Sequence, residues 1–349
     1  MIHKKLIDTL NAQKKLSLEE WRTLLSDFDG ADIAYAAEIA REISRSFWGN
    51  RLFFRGIIEF SNYCKNDCLY CGIRRSNKHA VRYRLELSQI MDCCREGYRL
   101  GYRSFVLQGG EDPYFEDARL CPIVEEISGA FPDAAITLSV GERSQDSYQR
   151  LFDAGARRYL LRHEAACPAL YAKLHPAEMS LDLRMRALKT LKAIGYQTGC
   201  GMMVGAPFQT ADDLAADMLF MSEFKPHMIG IGPFLPQHDT PFGSRPAGSL
   251  ECSLFLLSLC RIMLPSVLLP ATTALDGGGR DGRKRGVLAG ANVVMPNLSP
   301  SSARKNYLLY DGKPGLQESA AQSLDALRAQ MREIGYEMTV SRGDYEEKR

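Results

Sequence analysis

Gly56-Ile57-Ile58-Glu59-Phe60-Ser61-Asn62-Tyr63-Cys64-Lys65-Asn66-Asp67-Cys68-Leu69-Tyr70-Cys71 runs from an apolar stretch straight into three cysteines spaced C-x3-C-x2-C. The first half reads as a β-strand and the second as the loop at its carboxyl end. Thiolates are the ligands that iron–sulfur clusters demand, and a cubane with every iron held by protein needs four. Three in one short loop, with no fourth nearby, imply a cluster whose last iron is open to another molecule. An open iron at the mouth of a parallel α/β domain is a place where a sulfonium cofactor could bind and be cleaved. The triplet therefore points to radical chemistry.

Competing accounts of the triplet fit less well. Structural zinc usually takes four ligands, often as two C-x-x-C pairs, and no second pair occurs. A disulfide framework belongs to small secreted domains, whereas this chain has 349 residues and opens without a signal peptide. Cys93, Cys94, Cys121, Cys167, Cys200, Cys252 and Cys260 lie in apolar or helical surroundings and read as inert core cysteines.

An apolar fraction of 45% and a charged fraction of 25% are ordinary for a globular protein. The formal net charge of +2 offers no nucleic-acid footprint and no polybasic membrane patch. The longest apolar stretch, 254–269, is broken by Arg261 and Pro265, so no membrane span is expected. Ten cysteines without an export signal suit a reducing cytoplasm, where thiolates stay available.

Outward from the quoted stretch, short β-rich runs alternate with amphipathic ones. Strands are expected over 56–61, 104–108, 135–140, 158–162, 198–204, 228–232, 267–272 and 292–295. Helices are expected over 88–100, 119–130, 144–154, 181–194, 211–224, 250–263, 281–289 and 317–334. Eight strand–helix repeats predict an α/β fold, a closed (β/α)8 TIM-type barrel, rather than an open doubly wound sheet. Residues 1–50 read as an N-terminal helical extension, with Ser17 capping Leu18-Glu19-Glu20-Trp21, packed on the outside or bottom of the main domain. The barrel is expected over 51–340 and a charged, frayed tail over 341–349.

Reacting groups of parallel barrels sit at the carboxyl ends of strands, where the cysteine loop falls. Tyr70, between the second and third cysteines, would lie against a cluster or nucleoside, or equally pack the loop. Gln108-Gly109-Gly110-Glu111-Asp112-Pro113 ends the second strand. Its glycines allow close approach of a ligand, and Glu111 could pair with an ammonium, although a strand-to-helix turn also favours glycine. Arg162-His163-Glu164 ends the fourth strand, and Arg184 lies on the helix that follows. Arg184 could clasp a carboxylate, with a structural ion pair as the plainer reading, and Glu164 could hold ribose hydroxyls or orient the arginine. His163 reads as a hydrogen-bonded barrel-top residue. Gly230-Ile231-Gly232-Pro233 offers a place for adenine to stack against amide edges and Ile231. Thr137, Thr272 and Thr273 could supply hydroxyls to the cavity. Met202, Met203 and Met295 could line it, although methionine more often fills a core.

With these residues in hand, the chain resembles the radical S-adenosylmethionine superfamily. More narrowly, within the biotin synthase and methylornithine synthase branch, it looks like [FeFe]-hydrogenase maturases of the HydE type. The cysteine triplet and Gly109-Gly110-Glu111 carry the broader likeness. Gly72-Ile73-Arg74-Arg75, 270–273 and 292–300 carry the narrower one, with support from 158–164 and from 230–236 with His238-Asp239-Thr240-Pro241. Together these stretches cover most of the chain from Arg51 onward.

The resemblance implies one [4Fe-4S] cluster on Cys64, Cys68 and Cys71, with the amine and carboxylate of S-adenosylmethionine on the open iron. It implies reductive cleavage of the S–C5′ bond to a 5′-deoxyadenosyl radical. Gly109, Gly110 and Glu111 would meet the methionine amine, and Glu164 and Arg184 the ribose and carboxylate. Arg162, Thr137, Thr272 and Thr273 would face an anion-binding cavity deeper in the barrel. The implied substrate is a cysteine-bound iron carbonyl–cyanide complex used in assembling the diiron subcluster of the hydrogenase. Implied partners are a reductant protein and, transiently, the other maturases. Some relatives carry C-terminal cysteines for an auxiliary cluster; this chain has none after Cys260, so a second cluster is not expected. Two alternatives remain open at this point: a radical mutase or sulfur-transfer enzyme acting on a small amino acid, and a non-catalytic iron–sulfur scaffold.

Overall fold

The computed structural model describes residues 2–279, 281–316 and 318–346. Its first stave is Arg51–Phe54 (β1) followed by Gly56–Ser61 (β2), bent at Arg55. Phe53 and Phe54 lie opposite Val293 and Val294, and Ile57 opposite Asn297, so one register runs past the bend. From β2 the parallel sheet continues through Ser104–Gly109 (β3), Ala135–Ser139 (β4), Arg158–Leu160 (β5) and Gln197–Cys200 (β6). Met203–Val204 (β7) extends β6, while Met228–Ile229 (β8) and Gly232–Pro233 (β9) form the next stave. Met228 bridges Leu268, just ahead of Pro270–Ala271 (β10). Strand β10 pairs with Val293–Val294 (β11), which returns to β1. The ring is closed by eight parallel staves, as the strand count predicted.

Two expected strands, 198–204 and 228–232, are each split in the structure. Gly201 has φ +151°, and a Cβ there would lie 2.0 Å from the Gly230 carbonyl oxygen. The two backbones come too close at that point to tolerate a side chain, so the ladder is interrupted and then resumes in register.

Alternation along the staves separates two environments. Ile58, Phe60, Leu107, Leu138 and Tyr159 face the helical layer and join the main core. Ile57, Glu59, Gln108, Ser139 and Leu160 face inward and line a cavity. The helical layer comprises Leu87–Arg99 (α4), Asp117–Ala130 (α5), Gln145–Asp153 (α6), Pro168–Leu174 (α7), Leu181–Ile194 (α8), Ala211–Phe224 (α9), Leu250–Met263 (α10), Gly282–Leu288 (α11), Ser301–Arg304 (α12) and Ala320–Glu333 (α13). Of the helix expected over 317–334, Gln317 lies outside the described residues.

Before β1 come three helices, Ile2–Gln13 (α1), Leu18–Leu25 (α2) and Gly30–Trp48 (α3). Ser17 caps the second in a reciprocal capping box with Glu20. The first and third pack on α10, and the second packs on α9. The described helices include none long and apolar enough to cross a membrane. Arg261, which breaks the 254–269 run in sequence, is fully buried and donates to the carbonyls of Pro265, Val267 and Gly290.

The frayed tail expected over 341–349 is corrected for its described part, 341–346; residues 347–349 lie outside the description. Glu337–Thr339 (β12) pairs with β1, and the chain then turns beneath the barrel. There the buried Arg158 binds the Asp344 carboxylate at 2.6 Å and the Arg342 carbonyl at 2.8 Å. Tyr345 donates its N–H to the Gln197 side chain. Buried guanidinium groups need acceptors, and these charged residues supply them.

Candidate active site

At the carboxyl ends of the strands the barrel opens into a cavity of about 460 Å³, and Cys64, Cys68 and Cys71 all stand on its wall. The cysteine loop is held from several sides. Arg82 donates to the carbonyls of Ile73 and Asn77, Asp67 takes Arg74 at 2.8 Å, and Leu69 donates its N–H to the Leu174 carbonyl. At Gly110 a Cβ would sit 2.2 Å from the Tyr63 carbonyl oxygen and 2.8 Å from Cys64 Cβ, so the loop rests directly on bare backbone.

All ten cysteines are free thiols. Burial, foremost, pushes the Cys64, Cys68 and Cys71 thiols up, Cys71 to about 12, and the charges of the neighbouring sulfurs add to it at Cys68 and Cys71. Three thiolates cannot coexist in this buried space without a cation to offset them, which suits a cationic metal centre. Among the described residues, no three His, Cys, Asp or Glu gather around the position of a single ion. A cubane places each thiolate on a different iron, so its ligands stand wider apart than the shell of one ion. Three thiols, one short of the usual structural zinc set, suit a cluster with one open iron.

Tyr70 lines the cavity and is anchored from behind by a residue the sequence reading did not single out. His175 Nδ1 lies 2.9 Å from the Tyr171 carbonyl, which can only accept, so Nδ1 carries the hydrogen. Nε2 is then the acceptor for the Tyr70 hydroxyl at 3.1 Å. The Tyr171 ring stacks on the imidazole at 4.0 Å. Burial pulls the His175 pKa down to about 4, so the ring is neutral at pH 7.

Glu111 reaches the cavity past Gly141, another residue the strand pattern did not flag. Gly141 has φ +75°, and a Cβ there would lie 1.9 Å from Glu111 Cγ. Lys65 lies 3.2 Å from the Glu111 carboxylate and Arg184 4.0 Å. Arg184 also pairs with Glu142 and donates to the Arg162 carbonyl at 2.6 Å. The ion pair expected as its plainer role is present. Glu164 adopts φ +64°, rare for a residue with a side chain, and donates its N–H to the Gly201 carbonyl at 3.0 Å. Its Oε2 lies 3.3 Å from Arg162 yet makes no hydrogen bond of proper geometry, leaving a buried acceptor on the cavity wall. His163 accepts from the Gly201 N–H through Nδ1 and directs Nε2 at Asp217, as a hydrogen-bonded barrel-top residue.

Ile231, Thr272, Thr273 and Met295 also line the cavity, with Gly109, Gly110 and Arg162. Two residues expected there do not. Met202 is fully buried in the helix-facing core, and its neighbour Met203 lines the cavity instead, because adjacent strand residues face opposite sides. Thr137 is buried opposite Arg158, below the cavity floor, and its hydroxyl has no hydrogen-bond partner. The mouth is covered by a strap that the pattern of strands and helices did not reveal. Gly72 donates to the Leu309 carbonyl, Asp311 N–H to the Pro236 carbonyl, and His238 pairs with the Asp311 side chain, so residues 307–313 span from the cysteine loop to the far rim.

Residues 58–221 match the family model of the radical SAM superfamily. The [FeFe] hydrogenase maturase subunit HydE of Thermotoga maritima is 46% identical over 276 residues, 79% of this chain and 78% of that protein. The chain belongs to the radical S-adenosylmethionine superfamily. It is an enzyme of that superfamily and a HydE homologue. The 3-methylornithine synthase of Methanosarcina barkeri is 33% identical over 85% of this chain and 84% of its own. Among solved structures, the radical SAM barrel is similar to that of methylornithine synthase PylB, with a TM-score of 0.84 and 28% identity over 96% of this chain and 97% of that one. It also shares its fold with the maturase HydG, with a TM-score of 0.80 and 19% identity over 96% of this chain and 75% of that one. Radical SAM membership implies a [4Fe-4S] cluster and S-adenosylmethionine, which the half-buried thiol triplet suits.

Proposed function

We propose that this radical SAM enzyme is a cytoplasmic HydE-type maturase that helps assemble the diiron subcluster of [FeFe]-hydrogenase. The observation that carries the reading is the 46% identity to HydE across most of both chains, joined to three half-buried thiols on one wall of the barrel cavity. Cys64, Cys68 and Cys71 would hold a single cluster. When bound, cluster and S-adenosylmethionine together supply a one-electron cleavage of the S–C5′ bond that yields a carbon radical.

The chain's own residues bind, orient and shield. Glu111, paired with Lys65 and Arg184, accepts from the methionine ammonium, and the bare backbone at Gly109 and Gly110 lets that end approach. The free Glu164 Oε2 accepts from ribose hydroxyls. Tyr70, fixed by His175, and Ile231 flank the nucleoside. Arg162, Thr272, Thr273 and Met295 shape the deeper space, and the 307–313 strap keeps water from the radical. The substrate in this reading is a cysteine-bound iron carbonyl–cyanide complex, delivered by a sister maturase, with a reductant protein as electron source.

A second reading, radical chemistry on a small amino acid, draws on the 33% identity to 3-methylornithine synthase. The higher identity to HydE favours the first. Anaerobic reconstitution should give four irons per chain and reductive release of 5′-deoxyadenosine, both lost in Cys68→Ala. Retained cleavage in that variant rejects the cluster assignment. Deleting the gene in a host with the hydrogenase should abolish hydrogenase activity; unchanged activity rejects the maturase role.

A further inference from the structure

One wall of the cavity carries a buried ion pair with no role in the reading above. Lys313, from the strap, donates to Glu59 Oε1 at 2.5 Å and to the Tyr307 carbonyl at 3.1 Å. The two side chains are 10% and 4% exposed, and both line the same cavity as the cysteines. An ammonium has three donors, and two are used, so one N–H of Lys313 remains. Glu59 Oε2 is buried and makes no hydrogen bond of proper geometry, although the Asn297 side chain lies beside the carboxylate. Arg304 lines the cavity beside them; its Nη atoms are spent on carbonyls such as those of Gly315 and Ser299, while its Nε is buried without a partner.

A buried acceptor left open loses its hydration without recompense, so such groups call for a partner. Here a spare acceptor adjoins spare cationic donors, in a space large enough for a small molecule. A ligand that completes them presents a hydrogen-bond donor and an anionic acceptor side by side. The geometry points to recognition of the α-ammonium and α-carboxylate of an amino-acid moiety, by Glu59 Oε2 and by Lys313 with Arg304 respectively. This deepens the proposed maturase reading and rests on it, since it names which part of the substrate the wall grips. Because Lys313 belongs to the strap, the same contact would tie substrate occupancy to closure of the mouth.

The test is calorimetric titration of the reconstituted holoenzyme, loaded with S-adenosylmethionine, with L-cysteine, N-acetyl-L-cysteine and L-cysteine methyl ester. Wild type should bind L-cysteine at least about tenfold more tightly than either blocked form, a difference of about 1.4 kcal/mol. Glu59→Gln should erase the penalty for N-acetylation and leave that for esterification; Lys313→Met should do the reverse. Because each single variant strands a buried charge, the doubly neutral E59Q/K313M variant is measured as well, and should bind all three probes alike. Equal binding of the three probes by wild type, no binding of L-cysteine, or wild-type discrimination in E59Q/K313M overturns the assignment. Cleavage of S-adenosylmethionine by the same wild-type preparation separates the failures. With cleavage intact only this wall is misassigned, whereas loss of cleavage strikes the reading beneath it.

Discussion

At the residue scale, the site depends on positions where a side chain is missing or strained. Gly110 lets the cysteine loop rest on the end of β3, and Gly141 leaves room for the Glu111 side chain. Glu164 holds a left-handed backbone that ordinary residues avoid, at the point where its carboxylate joins the cavity wall. Strain of this kind costs about 1–3 kcal/mol and persists only where the surroundings enforce it. Gly141→Ala would combine a strained φ with a clash against Glu111 Cγ. Affinity for S-adenosylmethionine, measured by equilibrium binding to the reconstituted enzyme, should fall by at least about tenfold, with a smaller loss of melting temperature. Unchanged affinity would remove Glu111 from the binding site. The glycines of 109–110 are legible in the sequence because they follow a strand; Gly141 is not, because the space its Cβ would fill is taken by Glu111 from the loop after the neighbouring strand.

At the element scale, the seven-residue helix α7 acts as a clamp on the cysteine loop. The Leu174 carbonyl accepts from Leu69, and His175, just beyond the helix, accepts from Tyr70. No strand–helix count anticipates α7, since it is an extra helix between β5 and the regular helix α8. Its histidine carries a pH dependence. With the folded pKa down to about 4 and an unfolded value near 6.5, the unfolded chain binds the extra proton between those limits. Stability therefore rises with pH through this window and is lost on acidification, by up to about 3 kcal/mol. The thermal midpoint of the metal-free protein should drop between pH 6.5 and pH 4.5, and His175→Gln should flatten part of that slope. An identical slope in the variant would show that the histidine is not the titrating group. Elsewhere the elements follow their signals closely: β2 spans the expected 56–61, and Ser17 caps its helix with Glu20. The weaker strands shrink to two or three residues where glycines or the taper of the barrel thin the ladder.

At the scale of the whole molecule, the barrel is closed at both ends by segments from the C-terminal part of the chain. The 307–313 strap crosses the mouth, and 341–345 fills the floor beneath Arg158. Asp344→Asn would leave the fully buried Arg158 without its carboxylate, a change of the kind that costs about 3–5 kcal/mol. The denaturation midpoint should fall accordingly; a neutral Asp344→Asn would show that the floor is not sealed by this pair. The proposed substrate grip belongs to this scale too, because Glu59 and Lys313 lie 254 residues apart and meet only when the strap folds over β2.

The order of strands, the cysteine loop and the family were determined by the sequence alone. Each is a local pattern of alternation, turn residues and spacing, and local patterns survive without knowledge of the fold. Which face of a strand Met202 or Met203 presents, that Thr137 sits beneath the cavity, that charged tail residues plug the barrel and that His175 orients Tyr70 were decided by tertiary structure. Those outcomes depend on register, on burial and on contacts between residues far apart in the chain, and none of the three is written in any single stretch.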